Sequence, residues 1–258
     1  MRNQPTMRLR NKVAIVTGAG VGIGRAVAER FAAEGARVVI AEINPESGEA
    51  AVRSIRNDGC EAIFVQTDVA DESQVKTMAE KALDQFGRID VLFNNAAVLS
   101  FHGEARAHEL ANEVWDRTIN VNLRGYWLCS KYVIPAMLSQ GGGSVIHVAS
   151  PTGMFGFTRL TAYSTSKGGV LGLMRAMAAD YSPDHIRVNA IIPGSIDTPM
   201  NADEFSDPKL REYYAQLTPA RRLGTPDDLA GIAVFLASEE SDYCAGGIFT
   251  VDGGLTAV

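Results

Sequence analysis

Residues 12–17, Lys-Val-Ala-Ile-Val-Thr, form a short β-branched run that leads directly into Gly18-Ala19-Gly20-Val21-Gly22-Ile23-Gly24. A continuous apolar run bounded by glycines suits a strand buried on both faces, as in a parallel sheet. A helical pattern follows over 25–34, Gly35 is placed to stop it, and residues 37–41 (RVVIA) read as a second strand. Strand, glycine turn, helix and strand make a βαβ unit, and that unit restricts the chain to the α/β folds. The glycine spacing is Thr17-Gly18-x-x-x-Gly22-x-Gly24 rather than G-x-G-x-x-G. The physics is shared: glycines allow a tight turn and let backbone amides and the helix N-terminus approach a pyrophosphate. A plain tight turn needs glycines too, but the position between strand and helix favours dinucleotide binding.

The same alternation continues to the end of the chain. Helices are predicted over 45–57 (with Asn44 as N-cap), 73–86, 113–138, 161–181 and 226–237, and strands over 62–66, 89–93, 144–149, 186–192 and 247–251. No composition break or linker interrupts them. The expected architecture is one doubly wound (Rossmann) parallel sheet of about seven strands with helices on both faces, a single domain over 1–258. Residues 1–10 read as a polar extension. Residues 195–222 are loop-rich, with a short helical run near 210–217, and read as a substrate lid.

Composition narrows the partners. Hydrophobic residues make up 46% of the 258 positions, enough for a large core, and the net charge of −6 argues against nucleic acid or an anionic membrane as partner. No apolar run approaches the ~20 residues that cross a bilayer. Cys60, Cys129 and Cys244 are scattered and lack metal-ligand spacing, which suits reduced thiols in the cytoplasm, with no metal site expected. Glu42 follows the second strand, near the ~20-residue offset at which an acidic residue receives the adenosine ribose hydroxyls. A carboxylate there repels a 2′-phosphate, so NAD is favoured over NADP, although Arg25 and Arg37 lie nearby in sequence.

Tyr163 and Lys167 fall four residues apart in the apolar helical run 161–181, hence on one face. A cation beside a phenol favours the phenolate and draws its pKa down from ~10, making Tyr163 a candidate proton donor and acceptor. His147, in the middle of a strand, reads as a satisfied core residue; His102 and His108 read as surface or substrate wall.

These motifs together resemble the short-chain dehydrogenase/reductase family, over residues 9–254. The resemblance rests on Thr17, Gly18, Gly22 and Gly24; on Asp68-Val69; on Asn94-Asn95-Ala96, with Ala97 where the family has Gly; on Asn122; on Ser150; on Tyr163-x-x-x-Lys167; and on Pro193-Gly194, Thr198 and the terminal Val251-Asp252-Gly253-Gly254. Ala97 is tolerable only if its backbone φ is negative. The resemblance implies a catalytic set of Asn122, Ser150, Tyr163 and Lys167. Asn122 holds a relay water, Ser150 polarises the substrate oxygen, and Lys167 binds the nicotinamide ribose. The cofactor is expected against Gly18, Gly22, Ile23, Gly24, Glu42, Asp68, Val69, Asn95, Tyr163, Lys167, Pro193, Gly194, Ile196 and Thr198.

The implied activity is NAD(H)-dependent hydride transfer between nicotinamide and a small-molecule secondary alcohol or ketone. A 3-oxoacyl-type NADPH-dependent reductase is the alternative within the family, and a non-catalytic dinucleotide sensor the alternative outside it. Relatives pair the helices carrying Asn122 and Tyr163, so a homotetramer is expected, with Tyr126, Trp127, Tyr132, Met137, Leu171, Met174 and Met177 as surplus apolar residues. Ile196, Met200, Phe205, Tyr213, Tyr214 and Leu217, with Leu99, Phe101, Met154, Phe155 and Phe157, are expected to line an apolar substrate pocket.

Overall fold

The computed structural model describes residues 7–100 and 102–257. Its strands are β1 (Val13–Thr17), β2 (Arg37–Glu42), β3 (Ala62–Gln66), β4 (Val91–Asn94), β5 (Gly143–Val148), β6 (Ile186–Pro193) and β7 (Ile248–Val251). They form one sheet in the order β3-β2-β1-β4-β5-β6-β7, and every pairing is parallel. The order reverses between β1 and β4, and the crevice outside the carboxyl ends of those strands is where ligands bind in doubly wound sheets.

Helices α1 (Gly22–Ala33), α2 (Pro45–Asn57) and α9 (Pro226–Ala237) cover one face; α3 (Glu72–Phe86), α5 (Gly125–Gln140) and α6 (Thr161–Tyr181) cover the other. Alternate β1 residues divide between them: Val13 and Ile15 join the second core, Ala14 and Val16 the first. Burial on both sides explains why β1 has no polar alternation. Asn44 caps α2 by accepting from Ser47 N at 3.2 Å, with Pro45 at the first position.

Three expectations need correction. The helix expected over 113–138 is α4 (Asn112–Ile119), a π turn (Asn120–Arg124) and α5 in succession, with Asn122 inside the π turn. The polar extension ends earlier than residue 10. Leu9 is fully buried and its N–H donates to Glu34 O at 2.9 Å, while Arg8 pairs with Glu34 at 3.0 Å; residues 1–6 lie outside the described residues. The segment after β6 is more helical than expected: a 3₁₀ turn (Pro199–Asn201), α7 (Ala202–Phe205) and α8 (Pro208–Leu217), the last capped by Asp207.

The surplus apolar surface is also smaller than the sequence suggests. Tyr126, Met137, Leu171, Met174 and Met177 are buried in the protomer's own core, whereas Trp127 is 45% exposed beneath the Lys131 ammonium. Among the described residues no helix is long and apolar enough to cross a membrane.

Candidate active site

The glycine loop is fixed by close approach. Gly18 has φ +61°, and a Cβ there would stand 2.8 Å from Ala96 Cα; a Cβ on Gly24 would stand 2.2 Å from Gly18 O. Only glycine fits such contacts. Asn95 locks the loop to the end of β4: its Nδ2 donates to Thr17 O at 3.0 Å and Gly18 O at 3.1 Å, and its N–H to Thr17 Oγ1 at 2.9 Å. That side chain is therefore committed to the protein itself. Ala97 is not among the non-glycine residues with positive φ, so its methyl is unstrained.

Glu42 closes the other side of the loop. Its Oε2 accepts from Gly20 N at 3.0 Å and its Oε1 from Asn44 N at 3.1 Å. Gly18, Gly22, Ile23, Glu42, Asp68, Val69 and Asn95 line a cavity of about 510 Å³ that ends against Thr198. No side chain caps the N-terminus of α1, which opens on this cavity, so its amides have room for an anionic acceptor. Asp68 Oδ1 accepts from Ala70 N at 2.9 Å on the cavity wall. An uncapped helix end, a glycine cradle and a terminal carboxylate together fit a nicotinamide dinucleotide.

A second cavity, of about 220 Å³, contains Ser150, Tyr163, Lys167, Pro193, Gly194 and Ile196. Ile23, Asn95, Ala97, Thr198 and Met200 belong to both cavities, so they meet along a shared wall. Ser150 follows β5, and its Oγ accepts from Thr152 N at 3.2 Å and from Thr152 Oγ1 at 3.0 Å; it lies beside the half-buried Tyr163, whose phenol it acts to make more acidic. Lys167 is 1% exposed and donates to Val148 O at 2.8 Å and to the Tyr126 hydroxyl at 3.4 Å. Burial pulls the Lys167 pKa down to about 7.

The expectation that Lys167 lowers the Tyr163 pKa does not hold in this structure. Burial pushes the phenol up to about 12, helped by the Glu104 charge and opposed by the Ser150 hydrogen bond. The Lys167 ammonium donates to Val148 O, and its Nζ lies 5.7 Å from the centre of the Tyr163 ring, so burial of the phenol outweighs it.

Asn122 is fully buried, and its side chain is also committed. Oδ1 accepts from Val98 N at 2.8 Å, and Nδ2 donates to Val98 O at 2.9 Å and Ser166 Oγ at 3.2 Å. Here the side chain straps the loop after β4 to α6.

Glu104 is a site residue the sequence did not reveal. It is buried, and its carboxylate accepts from Ala162 N at 3.0 Å and Tyr163 N at 2.7 Å, while Thr161 Oγ1 donates to Ala105 O at 2.7 Å. A carboxylate on two orphan amides at a helix N-terminus is favourable both as a cap and against the helix dipole. It lies 58 residues from the first of them in sequence, so no local motif announces it.

The segment after β6 contributes Met200, Glu204, Phe205 and Tyr214 to the second cavity, facing Leu99, Phe157 and Leu160. Tyr213, Leu217, Met154 and Phe155 are exposed and absent from its wall, contrary to expectation, because they face outward from their elements; Phe101 lies outside the described residues. His102 and His108 are likewise absent from the wall. His147 is fully buried, stacked on Tyr126, and burial lowers its pKa to about 3. Its Nδ1 meets Asn94 Nδ2 at 3.2 Å but its Nε2 has no partner, so it is a core residue only partly satisfied. Among the described residues no group of three potential ligands could hold a metal ion.

Comparison with known proteins agrees with this geometry. The family model described as enoyl-(acyl carrier protein) reductase matches residues 18–256. The chain is 44% identical to an uncharacterised oxidoreductase of Bacillus subtilis, over 97% of this chain and 93% of that protein. It is 39% identical to a 3-oxoacyl-[acyl-carrier-protein] reductase of Thermotoga maritima, over 96% and 99%. A crystal structure from Beutenbergia cavernae, assigned as an NAD(P)-dependent gluconate 5-dehydrogenase and holding NADP at low occupancy, superposes with a TM-score of 0.92. It is 35% identical, over 98% of this chain and 99% of that one. By fold, by the residues gathered at the sheet's carboxyl edge and by these matches, the chain belongs to the short-chain dehydrogenase/reductase family of oxidoreductases.

Proposed function

We propose that the protein is an NAD(H)-dependent oxidoreductase acting on a small secondary alcohol or ketone, with Tyr163 as general acid and base. The observation that carries this reading is the shared wall between the cavity that fits a dinucleotide and the cavity that holds Ser150, Tyr163 and Lys167. A bound nicotinamide supplies the hydride acceptor or donor. Tyr163, a neutral phenol at working pH given its raised pKa, is poised to protonate the oxygen of a ketone; the oxidation of an alcohol needs its phenolate. Ser150, on the same cavity wall as that phenol, is placed to hold the same substrate oxygen and stabilise charge developing on it. Lys167 supports Tyr163 from below, its position fixed by Val148 O.

The preference for NAD rests on Glu42, whose charge borders the cavity where a 2′-phosphate would sit. Neither cation near Glu42 in sequence answers it: Arg25 pairs with Glu29 at 3.0 Å, and the Arg37 guanidinium lies over Phe86 at 5.3 Å, while Arg117 of α4 is a third cation and lines the cavity itself. The Thermotoga relative favours the 3-oxoacyl reductase alternative, against which Glu42 counts. A cytoplasmic homotetramer, with Trp127 and Tyr132 of α5 at a subunit contact, completes the proposal; sedimentation at micromolar concentration tests the assembly. The activity is tested by following nicotinamide absorbance with NAD or NADP and a panel of alcohols and ketones. Turnover of at least one substrate class, faster with NAD(H), is expected; no turnover of any by either cofactor overturns the reading.

A further inference from the structure

Among the described residues Glu204 is the only anionic side chain on the wall of the cavity that holds Ser150 and Tyr163, and Lys167 the only cation there. Glu204 extends from α7, half-buried, and Tyr214 of α8 donates its hydroxyl proton to Oε1 at 2.8 Å. Phe205 and Tyr214 meet edge to face at 5.5 Å, so the carboxylate is held by packing as well as by a hydrogen bond. Lys167 forms no ion pair with it; its ammonium is buried and donates to Val148 O. Arg211 pairs with Asp197, Arg222 with Asp228 and Arg159 with Glu109, and neither these nor Lys209 and Arg221 line the cavity. The facing wall is apolar, built from Leu99, Phe157, Leu160 and Met200.

We infer that this cavity takes an uncharged ring or short-chain alcohol or ketone bearing a second hydrogen-bond donor for Glu204, and rejects substrates carrying a carboxylate. The inference rests on the hydride-transfer reading for the fate of the substrate, though not for what binds. An anion entering here loses water beside a like charge and gains no counter-ion. A hydroxyl or amide N–H finds in Glu204 a charged acceptor, the stronger kind of hydrogen bond. The carboxylate thus selects twice, by attraction and by exclusion.

The test uses matched pairs: hydroxycyclohexanecarboxylate with its carboxamide, and hydroxyhexanoate with its amide. Binding to the NADH-loaded protein is measured by calorimetry, and turnover is measured separately. The uncharged member should bind at least tenfold more tightly in each pair, and Glu204→Gln should narrow that ratio fivefold or more. Equal or tighter binding of the acids, an unchanged ratio in Glu204→Gln, or no binding of either uncharged member overturns the inference. The wild-type ratio stands alone should the variant fail to fold. Tight binding of the uncharged members with no turnover by any cofactor would instead defeat the hydride-transfer reading and leave the selectivity in place.

Discussion

Lys167 Nζ donates to the carbonyl oxygen of Val148 at 2.8 Å, so the lysine is anchored to the last residue of β5 rather than to the phenol one helical turn away. A buried ammonium with a pKa near 7 carries a pH signature in stability. Between pH 7 and the unfolded value of ~10.4, the unfolded chain holds a proton that the folded chain has released. Stability from this group therefore rises with pH across that window, and below pH 7 its full cost is present. Relative to Lys167→Met, the wild type should gain up to about 1.4 kcal/mol per pH unit between pH 7 and 10. Denaturant unfolding of both proteins at several pH values measures it; parallel curves would show that the lysine titrates as if exposed.

Tyr163→Phe removes only a hydroxyl. Turnover should fall by at least ~100-fold while dinucleotide binding survives, because the cofactor cavity is built mostly from other residues. In the free protein, burial holds this phenol near 12. An ultraviolet difference titration of wild type against Tyr163→Phe should show no phenolate from this residue below about pH 11. A phenolate signal near neutrality would restore the lysine-driven shift that the sequence suggests.

Glu42 should decide the cofactor. Catalytic efficiency with NAD(H) is expected to exceed that with NADP(H) tenfold or more, about 1.4 kcal/mol. Glu42→Ala should shrink that ratio, and should also weaken NAD binding, since Gly20 N loses its acceptor and the glycine loop its tether. Equal use of both cofactors by the wild type would refute the electrostatic argument.

Much of the frame was legible because its causes are local. Asn44 and Pro45 announce the start of α2, and the predicted bounds of α6 and α9 are those observed. What was not legible depends on distant partners. The π turn at Asn122 carries no glycine or proline signal, and its side chain is held by Val98, 24 residues away. Helical spacing puts Lys167 beside Tyr163 correctly, but it cannot say that Val148 O will claim the ammonium. Leu9 looked like part of a tail because one apolar residue has no periodicity to read, and only the contact with Glu34 O shows it docked.

Glu104 should matter for both stability and chemistry. Glu104→Ala strips the acceptor from two amides at the start of α6, and a lost cap costs ~0.5–2 kcal/mol, with further cost because the site is buried. The unfolding midpoint should fall accordingly. Glu104→Gln keeps one acceptor oxygen but removes the charge that raises the Tyr163 pKa, so the phenol should titrate lower in the same difference experiment. A phenol unmoved in Glu104→Gln would confine Glu104 to a structural cap.

The segment 195–220 is the least anchored part of the cavity around Ser150 and Tyr163. In α7 only Phe205 is buried and in α8 no residue is, so few apolar contacts hold either helix to the body. Their mutual ties are local: Tyr214 donates to Glu204, and Phe205 packs on Tyr214. Segments with few buried contacts open at low free-energy cost, so amides of 195–220 should exchange fastest among the helical parts of the free protein. A substrate that bridges Leu99 and Phe157 on one wall and Met200 and Phe205 on the other supplies the missing contacts. Hydrogen exchange across this segment should therefore slow when cofactor and substrate are bound together, and less so with cofactor alone. Exchange that is the same in the free protein and the ternary complex would mean that the lid does not close on substrate and that specificity resides in the loop after β4.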